Sequence, residues 1–357
     1  MNHKNNFDFL RLAAAFSVLF AHQHALLGQA EPSIGNRIGL GQLSVAVFFT
    51  ISGYLVAQSW ERDPHIARFA GKRLLRVWPG LAAVTLLSAL VLGPIVSTLP
   101  LRDYIADPRF AHYMANLRFA ITYELPGVFE RNPFPNAVNG STWTIPLEIR
   151  CYLYLCLVGA IGLLRKRLIT LSVVVALVAY HFAWYRAETN PAINHGRDFG
   201  LYFCAGVLMW IYRDAWERRK VAGAVAACLL GAVAIAFGQY KLGELIAVSS
   251  LTIAIGSSST PVIREAGRFG DLSYGIYVYA FVVQQTLISA LGAGLPFSAH
   301  LAIASAITTV FAWLSWHLIE KPALSMKRFI SPRRRRAPTP INHEATAAAG
   351  MAHSQQG

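Results

Sequence analysis

Charged residues are scarce in this sequence. Asp, Glu, Lys and Arg together make up 14% of the 357 residues, whereas hydrophobic residues make up 55%. Soluble domains carry about 25% charged residues, so this composition excludes an ordinary soluble protein. Apolar runs recur from one end of the chain to the other, which also excludes a soluble domain with a single membrane anchor. The sequence therefore predicts a protein that crosses the membrane several times.

Cysteine is also rare, with four residues in the whole chain. All four lie in apolar runs, and there is neither a CxxC pattern nor a Cys/His cluster. We therefore expect small packing residues, no disulfides and no metal site. They are Cys151, Cys156, Cys204 and Cys228. The sequence also lacks the inverted repeat that many transporters show, and we expect no appended soluble catalytic domain.

Long apolar stretches dominate the rest of the sequence. A helix needs about 20 apolar residues to cross a bilayer, and ten stretches reach or approach that length. They predict an all-α, polytopic membrane protein. A count of nine or of eleven spans is the alternative, because the sixth stretch is short and the break between the seventh and eighth is narrow. The ten stretches are 9–28, 40–59, 79–99, 143–164, 168–185, 199–212, 221–238, 242–258, 271–291 and 297–318.

The basic residues predict the orientation of these spans. Most of the 32 Lys and Arg residues fall in alternate connecting segments and near both ends of the chain, which predicts that both termini are cytoplasmic. The net charge of +14 then reflects topology and requires no nucleic-acid partner. We expect residues 1–328 to form the integral membrane domain. We expect 329–357 to be a basic, disordered cytoplasmic tail held near anionic lipid, and the long outer loop 100–142 to be functional.

The first span carries an arginine and two histidines, which a helix that only crosses a bilayer does not need. Arg11 and His22 are eleven residues apart, so they share one helical face and lie about 16 Å apart along the axis. His24 points elsewhere. On the shared face, Arg11 is suited to hold a phosphate or carboxylate and a neutral His22 to act as a general base. The alternatives are an arginine that reaches the membrane interface and a histidine hydrogen-bonded between helices.

A basic segment, "RFAGKRLLRVWPG", precedes the third span. Arg73 and Arg76 are i,i+3 neighbours on one helical face, and Lys72 and Arg68 lie close by in sequence. One interpretation is that these residues only fix the topology. The other is a phosphate clamp with an aromatic residue beside it, as a nucleotide-bearing ligand would need.

Polar residues also occur within the later spans. Glu148, in "GSTWTIPLEIRCYLYL", needs a partner on another helix, and a structural ion pair is the alternative to a functional role. The ninth span contains Tyr274, Gln284 and Gln285, which indicate a polar cavity able to hold sugar hydroxyls. Together with Trp143 they are our candidates for substrate binding. In the second span, "VAVFFTISGYL" predicts close helix packing at Ser52 and Gly53.

These motifs together resemble the membrane-bound acyltransferase 3 family. The resemblance rests on "FDFLRLAAAFSVLFAH", "VAVFFTISGYL", "RLLRVWP", "STWTIPLEIRCYLYL", "LSYGIYVYAFVVQQ" and "IEKP", which follow in order from about residue 6 to 328. It implies a multi-pass protein of the bacterial inner membrane. It also implies an O-acetyltransferase, which transfers an acyl group from cytoplasmic acyl-coenzyme A to a hydroxyl of an envelope carbohydrate such as O-antigen, exopolysaccharide or lipo-oligosaccharide.

The resemblance assigns roles to individual residues. It implies that His22 is the essential histidine and Arg11 its partner, acting as general base or as carrier of the acyl group. It implies that Arg73 and Arg76 hold the phosphates of acetyl-coenzyme A and that Glu148 is the family glutamate. The chain departs from the family pattern at Ala280, where many members have a histidine. We therefore assign no chemistry to the ninth helix.

Two other classes of function remain open at this stage. Polar groups in several spans would also suit a transporter of a lipid-linked or free sugar, although the missing repeat and the six ordered motifs disfavour it. A non-catalytic protein that binds acyl-coenzyme A or scaffolds envelope enzymes is the third possibility. The acceptor sugar, the acyl chain length and the oligomeric state stay open.

Overall fold

The computed structural model describes residues 5–35, 37–185 and 191–330, and their architecture is mostly helical. The α-helices are α1 (Phe7–Leu26), α2 (Leu40–Arg62), α3 (Ile66–Leu87), α4 (Gly93–Val96), α5 (Leu101–Ala106), α6 (Pro108–Met114), α7 (Ile145–Ala160), α8 (Arg167–Tyr185), α9 (Pro191–Ile211), α10 (Arg213–Trp216), α11 (Lys220–Ala236), α12 (Tyr240–Gly256), α13 (Ser273–Leu291), α14 (Phe297–Ser315), α15 (Lys321–Ser325) and α16 (Lys327–Ile330). The 3-10 helices are Ala115–Arg118, Gly140–Thr144, Leu163–Arg165, Glu217–Arg219 and Ile263–Phe269, and the π-helical turns are Ser88–Leu92 and Trp316–Glu320. A small antiparallel hairpin pairs β1 (Ser33–Ile34) with β2 (Ile38–Gly39).

Six helical stretches of the described chain are long and apolar enough to cross a membrane. They are Phe7–Leu26, Leu40–Arg62, Ile66–Val96, Arg213–Ala236, Ser273–Leu291 and Phe297–Ile330. The expected polytopic helical architecture is therefore present. Helices α7, α8, α9 and α12 lie at the four other predicted stretches, and the count of ten spans, like the side on which the termini lie, remains a prediction.

The third span differs from its prediction. A span beginning at Pro79 was expected, but the helix begins at Ile66 and continues through Pro79 to Val96. Proline removes one backbone hydrogen bond, and helices packed among other helices tolerate that loss. The basic segment is therefore the first half of α3 and not a separate connection. Its side chains are held in fixed directions against the rest of the bundle.

The outer loop 100–142 is more ordered than its sequence suggests. It contains α5, α6 and a 3-10 helix, and it has a small apolar core of its own. Tyr104 anchors this core, because its hydroxyl donates to the Ala89 carbonyl at 2.7 Å. The core also contains Tyr113, Leu125, Val128, Phe129 and Val138. The loop therefore forms a folded cap beside the outer part of α3.

Helices α2 and α9 pack very closely, as predicted at Gly53. A Cβ atom at Gly53 would collide with the Phe203 carbonyl, and one at Gly206 would collide with the Thr50 carbonyl. Small residues on both helices thus let the two backbones touch, which is the usual basis of tight helix packing in membranes. At the centre of the bundle, α13 is buried at nearly every position from Ser273 to Gln285.

The structure follows the chain to Ile330. Phe329 and Ile330, the first two residues of the predicted tail 329–357, belong to α16. Residues 331–357 lie outside the described residues, and the expectation of a disordered tail falls on them.

Candidate active site

A cavity of about 100 Å³ lies between α1, α2, α3, α7 and α13. Five side chains that the sequence singled out line it together: Arg11, Arg73, Arg76, Glu148 and Tyr274. They come from four separate helices and from positions up to 263 residues apart in the numbering (11 to 274). The cavity is therefore the place where the motifs of the sequence meet.

Two of the arginines share one carboxylate. Arg76 Nη2 lies 2.5 Å from Asp271 Oδ2, and Arg11 Nη1 lies 3.7 Å from the same oxygen. Ser273 Oγ donates to the other oxygen of Asp271 at 2.7 Å. Arg11 also lies 3.7 Å from Asp8. The sequence does not reveal this pairing, because Asp271 is far away in the chain.

Arg73 differs from its two neighbours. Its Nη2 donates to Ser59 Oγ at 3.2 Å, but its buried Nε has no hydrogen-bond partner. None of the ion pairs formed within the described residues includes Arg73. A buried donor without a partner is costly, so Arg73 is the cation of this cavity that is best placed to accept an anionic ligand.

Glu148 is held by hydroxyl groups. Ser52 Oγ donates to Glu148 Oε1 at 3.0 Å, and the Tyr152 hydroxyl donates to the same oxygen. The ion pair considered from the sequence is absent among the described residues. Ser52, which the sequence suggested as a packing residue, instead orients this carboxylate.

Tyr274 closes one wall of the cavity. Its hydroxyl donates to the Val77 carbonyl at 2.6 Å, and its ring lies against Gly80, where a Cβ atom would come within 2.5 Å of the ring. Gly80 therefore lets α13 approach α3. Of the four residues predicted to bind substrate, Tyr274 is the one that lines the cavity.

His22 lies beyond the cavity. Its Nδ1 is 3.5 Å from Ser141 Oγ, and its ring packs edge-on against Phe281 with centroids 5.2 Å apart. Thr144 and Tyr277 line the cavity, and their hydroxyls are hydrogen-bonded at 2.7 Å. Ser141 is three residues from Thr144 on a 3-10 helix, and Phe281 is four residues from Tyr277 on α13. Both separations are about 6 Å, so His22 lies about one turn beyond that hydrogen bond.

His24 points away from this region, as predicted. Its ring packs against Phe20 and Phe297, with centroid distances of 5.0 and 4.3 Å. His22 and His24 therefore occupy different faces of α1, and only His22 faces Ser141 and α13.

Arg68 and Lys72 do not line the cavity beside Arg73 and Arg76, and their binding of the cofactor remains a prediction. Asp63 contacts Arg68 Nη2 at 2.5 Å and Lys72 Nζ at 2.6 Å. These cations hold the pKa of the Asp63 carboxyl well below its usual range, Arg68 having the larger effect. Both basic residues are thus engaged in ion pairs with Asp63, which join the end of α2 to α3.

The cavity is not lined by Gln284, Gln285 or Trp143 either. Gln284 Nε2 donates to the Leu19 carbonyl and to Gln23, at 2.8 and 2.9 Å. Gln285 Nε2 donates to two carbonyls of the outer loop, those of Phe134 and Ala137, each at 2.8 Å, and its Oε1 accepts from Asn132 at 2.8 Å. Trp143 packs on Phe199, with ring centroids 5.8 Å apart. Buried amides need partners, and here they join α13 to α1 and to the outer loop.

The chain is similar to known proteins over most of its length. The sequence model of the family described as "Acyltransferase domain" matches residues 4–317. The chain is 32% identical to the O-acetyl transferase of Shigella phage Sf6, over 90% of this chain and 97% of that protein. It is 32% identical to Nodulation protein 10 of Rhizobium leguminosarum bv. viciae, over 93% and 96%.

A third relative extends the same group. The exopolysaccharide production protein ExoZ of Rhizobium meliloti is 25% identical over 85% of this chain and 96% of its own length. No solved structure matches the chain. The matched region contains every helix that lines the cavity, together with His22 and the outer loop. The chain belongs to the acyltransferase family that this domain defines.

Proposed function

We propose that the chain transfers an acyl group, in the simplest case acetyl, from cytoplasmic acyl-coenzyme A to a hydroxyl of an envelope carbohydrate. The convergence of three arginines and Glu148 on one cavity, with His22 one turn beyond it, is the observation that carries this proposal. The names of two relatives, an O-acetyl transferase and an exopolysaccharide production protein, support O-acylation and a carbohydrate acceptor. The same family membership disfavours the transporter considered from the sequence.

The donor would bind from the side of Arg73. Pockets that hold drug-sized ligands measure about 300–1,000 Å³, whereas this cavity measures about 100 Å³. It is too small for the nucleotide, and only the end of the narrow arm of coenzyme A would enter it. The phosphates and adenosine would then stay outside, against Arg73 and the first half of α3. The unpartnered Nε of Arg73 supports this, because a phosphate oxygen would supply the missing acceptor.

The thioester would react beside His22. When Nδ1 carries the proton it can donate to Ser141 Oγ, which leaves Nε2 free to accept one. His22 then removes the proton of the acceptor hydroxyl, and the oxygen attacks the thioester carbonyl carbon. The new C–O bond forms, the C–S bond breaks, and the thiolate of coenzyme A leaves and takes up the proton. Transfer of the acyl group through His22 itself would use the same position in two steps.

Tyr277 and Thr144 are the residues that line the cavity one turn from the contacts of His22. The donor arm must pass their hydrogen bond to reach the histidine, so these two residues would separate bound donor from acceptor until the arm extends. Glu148, fixed by Ser52 and Tyr152, would supply a negative charge beside the path. The outer loop borders His22 through Ser141 and would contact the acceptor.

The proposal can be tested with purified full-length protein in detergent. Acetyl-coenzyme A labelled on the acetyl group is supplied together with envelope glycan, and label on the glycan is measured. The expected result is glycan O-acetylation with release of one thiol per acetyl group. In parallel, vesicles containing the protein are assayed for sugar uptake without acyl donor. Uptake without acylation would overturn the proposal in favour of transport.

A further inference from the structure

The carboxy-terminal segment, from Glu320 to Ile330, runs back along α3. The Cβ position of Gly80 lies 3.7 Å from the Glu320 carboxyl carbon, and the Cβ position of Gly71 lies 3.1 Å from the Ile330 side chain. Residue numbers rise on one segment as they fall on the other, so the two are antiparallel. Lys327, seven residues after Glu320, is therefore expected beside the turn of α3 that carries Arg73.

The exposure pattern of this segment fits the same placement. Lys327 and Ile330 are partly buried, and they are one turn apart on one face. Met326 and Phe329, on the other faces, are 51% and 75% exposed, and Arg328 is exposed. Because Ile330 contacts Gly71, the face that it shares with Lys327 is the one directed at α3.

The charges around Lys327 are unbalanced. Arg73, Arg76 and Lys72 are the cations that act electrostatically on it, and Asp271 is the one carboxylate that does so among the described residues. Asp63 pairs with Lys72, and Asp271 pairs with Arg76. Within the described part of the chain, neither Arg73 nor Lys327 has a carboxylate partner. Two neighbouring cations without a carboxylate in contact repel each other unless an anion lies between them.

We propose that Lys327 and Arg73 together bind a phosphate group, with α3 supplying one cation and the carboxy-terminal segment the other. Lys327 lies beyond residue 317, where the match to the acyltransferase domain ends, so the domain model does not include it. The phosphate belongs to coenzyme A if the proposed function holds. A lipid headgroup would offer the same chemistry.

The test compares three variants with the unaltered protein in maltoside detergent, which contains no phosphate. Lys327→Gln removes the charge, Lys327→Arg keeps it, and Arg328→Gln removes the adjacent exposed charge as a control. Calorimetric titrations use coenzyme A and inorganic pyrophosphate as separate probes. We expect Lys327→Gln to weaken both affinities about tenfold, the loss of one charge-assisted hydrogen bond. Lys327→Arg should stay within about threefold and Arg328→Gln within about twofold of the unaltered protein.

The outcomes separate this proposal from the proposed function. Weakened binding of both probes in Lys327→Gln supports Lys327 as part of a coenzyme A site. Lys327-dependent binding of pyrophosphate that phosphatidylglycerol displaces, without binding of coenzyme A, keeps the phosphate site but overturns the acyl-coenzyme A donor. Equal affinities in Lys327→Gln and the unaltered protein, or no Lys327-dependent binding of any of these anions, overturns the proposal.

Discussion

Asp271 compensates the charge of two arginines at the edge of the cavity. It lies 2.5 Å from Arg76 and 3.7 Å from Arg11, and each of the three side chains is about one-fifth exposed. This carboxylate keeps Arg11 and Arg76 in place before any ligand arrives. Arg73 lacks such a partner among the described residues, and we propose that it contacts the ligand.

Replacing Asp271 should therefore have an effect that an anion can reverse. Asp271→Asn leaves two cations side by side, and we expect it to lower the free energy of unfolding by about 3 kcal/mol or less, since the pair is partly exposed. Pyrophosphate should raise the melting temperature of Asp271→Asn more than that of the unaltered protein, because it replaces the lost charge. Thermal unfolding in detergent measures both effects.

Asp8→Asn is the matched control. Asp8 also contacts Arg11, at 3.7 Å, but it is 47% exposed, so its removal should change stability little. Equal stabilisation of Asp271→Asn and Asp8→Asn by pyrophosphate would contradict the role given to Asp271.

The partners of these residues could not be read from the sequence. Periodicity predicted that Arg11 and His22 share a face, since that depends only on the geometry of one helix. Asp271 as a partner for Arg11, and Ser52 as a partner for Glu148, depend on how distant helices pack. The protein partners of Gln284 and Gln285 could not be predicted for the same reason. Two adjacent amides in a span indicate a need for partners, but not whether a ligand or the protein provides them.

At the level of helices, the contact between α2 and α9 positions the part of α2 that carries Ser52 and lines the cavity. The backbones touch at Gly53 and Gly206. Gly53→Ala should therefore push α9 away and destabilise the protein by about 1–3 kcal/mol, as overpacking does. Gly223→Ala, on the open face of α11 where no atom lies within 4 Å, is the control and should be neutral or stabilising. The melting temperatures of the two variants are measured by thermal unfolding. Equal melting temperatures would contradict the close contact between α2 and α9.

The ion pairs of Asp63 with Arg68 and Lys72 predict a defined pH dependence of stability. Arg68 and Lys72 hold the pKa of Asp63 well below its usual range. A carboxyl with a lowered pKa stabilises the fold above its unfolded pKa, about 3.9, and this contribution is lost as the pH falls through the folded pKa. Asp63→Asn should therefore lower the melting temperature by about 1–3 °C at both pH 7 and pH 5.5. The difference should shrink only below about pH 4.

The exposed Asp103 offers a comparison, because it forms no ion pair within the described residues. Asp103→Asn should leave the melting temperature unchanged at each pH. A decrease in melting temperature on Asp63→Asn that differs between pH 7 and pH 5.5 would contradict this assignment. It would show that a group other than the Asp63 carboxyl titrates in that range.

Helix boundaries were predicted with uneven success. Apolar length located each long helix, because burial in lipid demands it. Pro79 was expected to begin a span, since proline is disfavoured inside helices, yet α3 extends 13 residues before it. Packing against α13 and the carboxy-terminal segment stabilises that first half, and such tertiary contacts leave no local pattern in the sequence.

Over the whole molecule, the orientation in the membrane decides from which side the donor reaches Arg73. The distribution of basic residues predicts that the outer loop is outside and the segment between α9 and α11 inside. An impermeant maleimide should therefore label Arg131→Cys in intact spheroplasts and label Arg218→Cys only after permeabilisation. Both positions are exposed. The reverse pattern would contradict the orientation, and labelling of both in intact cells would contradict the span count.

The central claim is that His22 carries out acyl transfer while the arginines hold the donor. The most direct measurement follows glycan acetylation and thiol release from labelled acetyl-coenzyme A, comparing His22→Ala with His24→Ala. We predict a loss of at least about 100-fold in His22→Ala with unchanged affinity for coenzyme A, and near-normal transfer in His24→Ala. Transfer at the normal rate by folded His22→Ala, or an equal loss in both variants, would contradict the account.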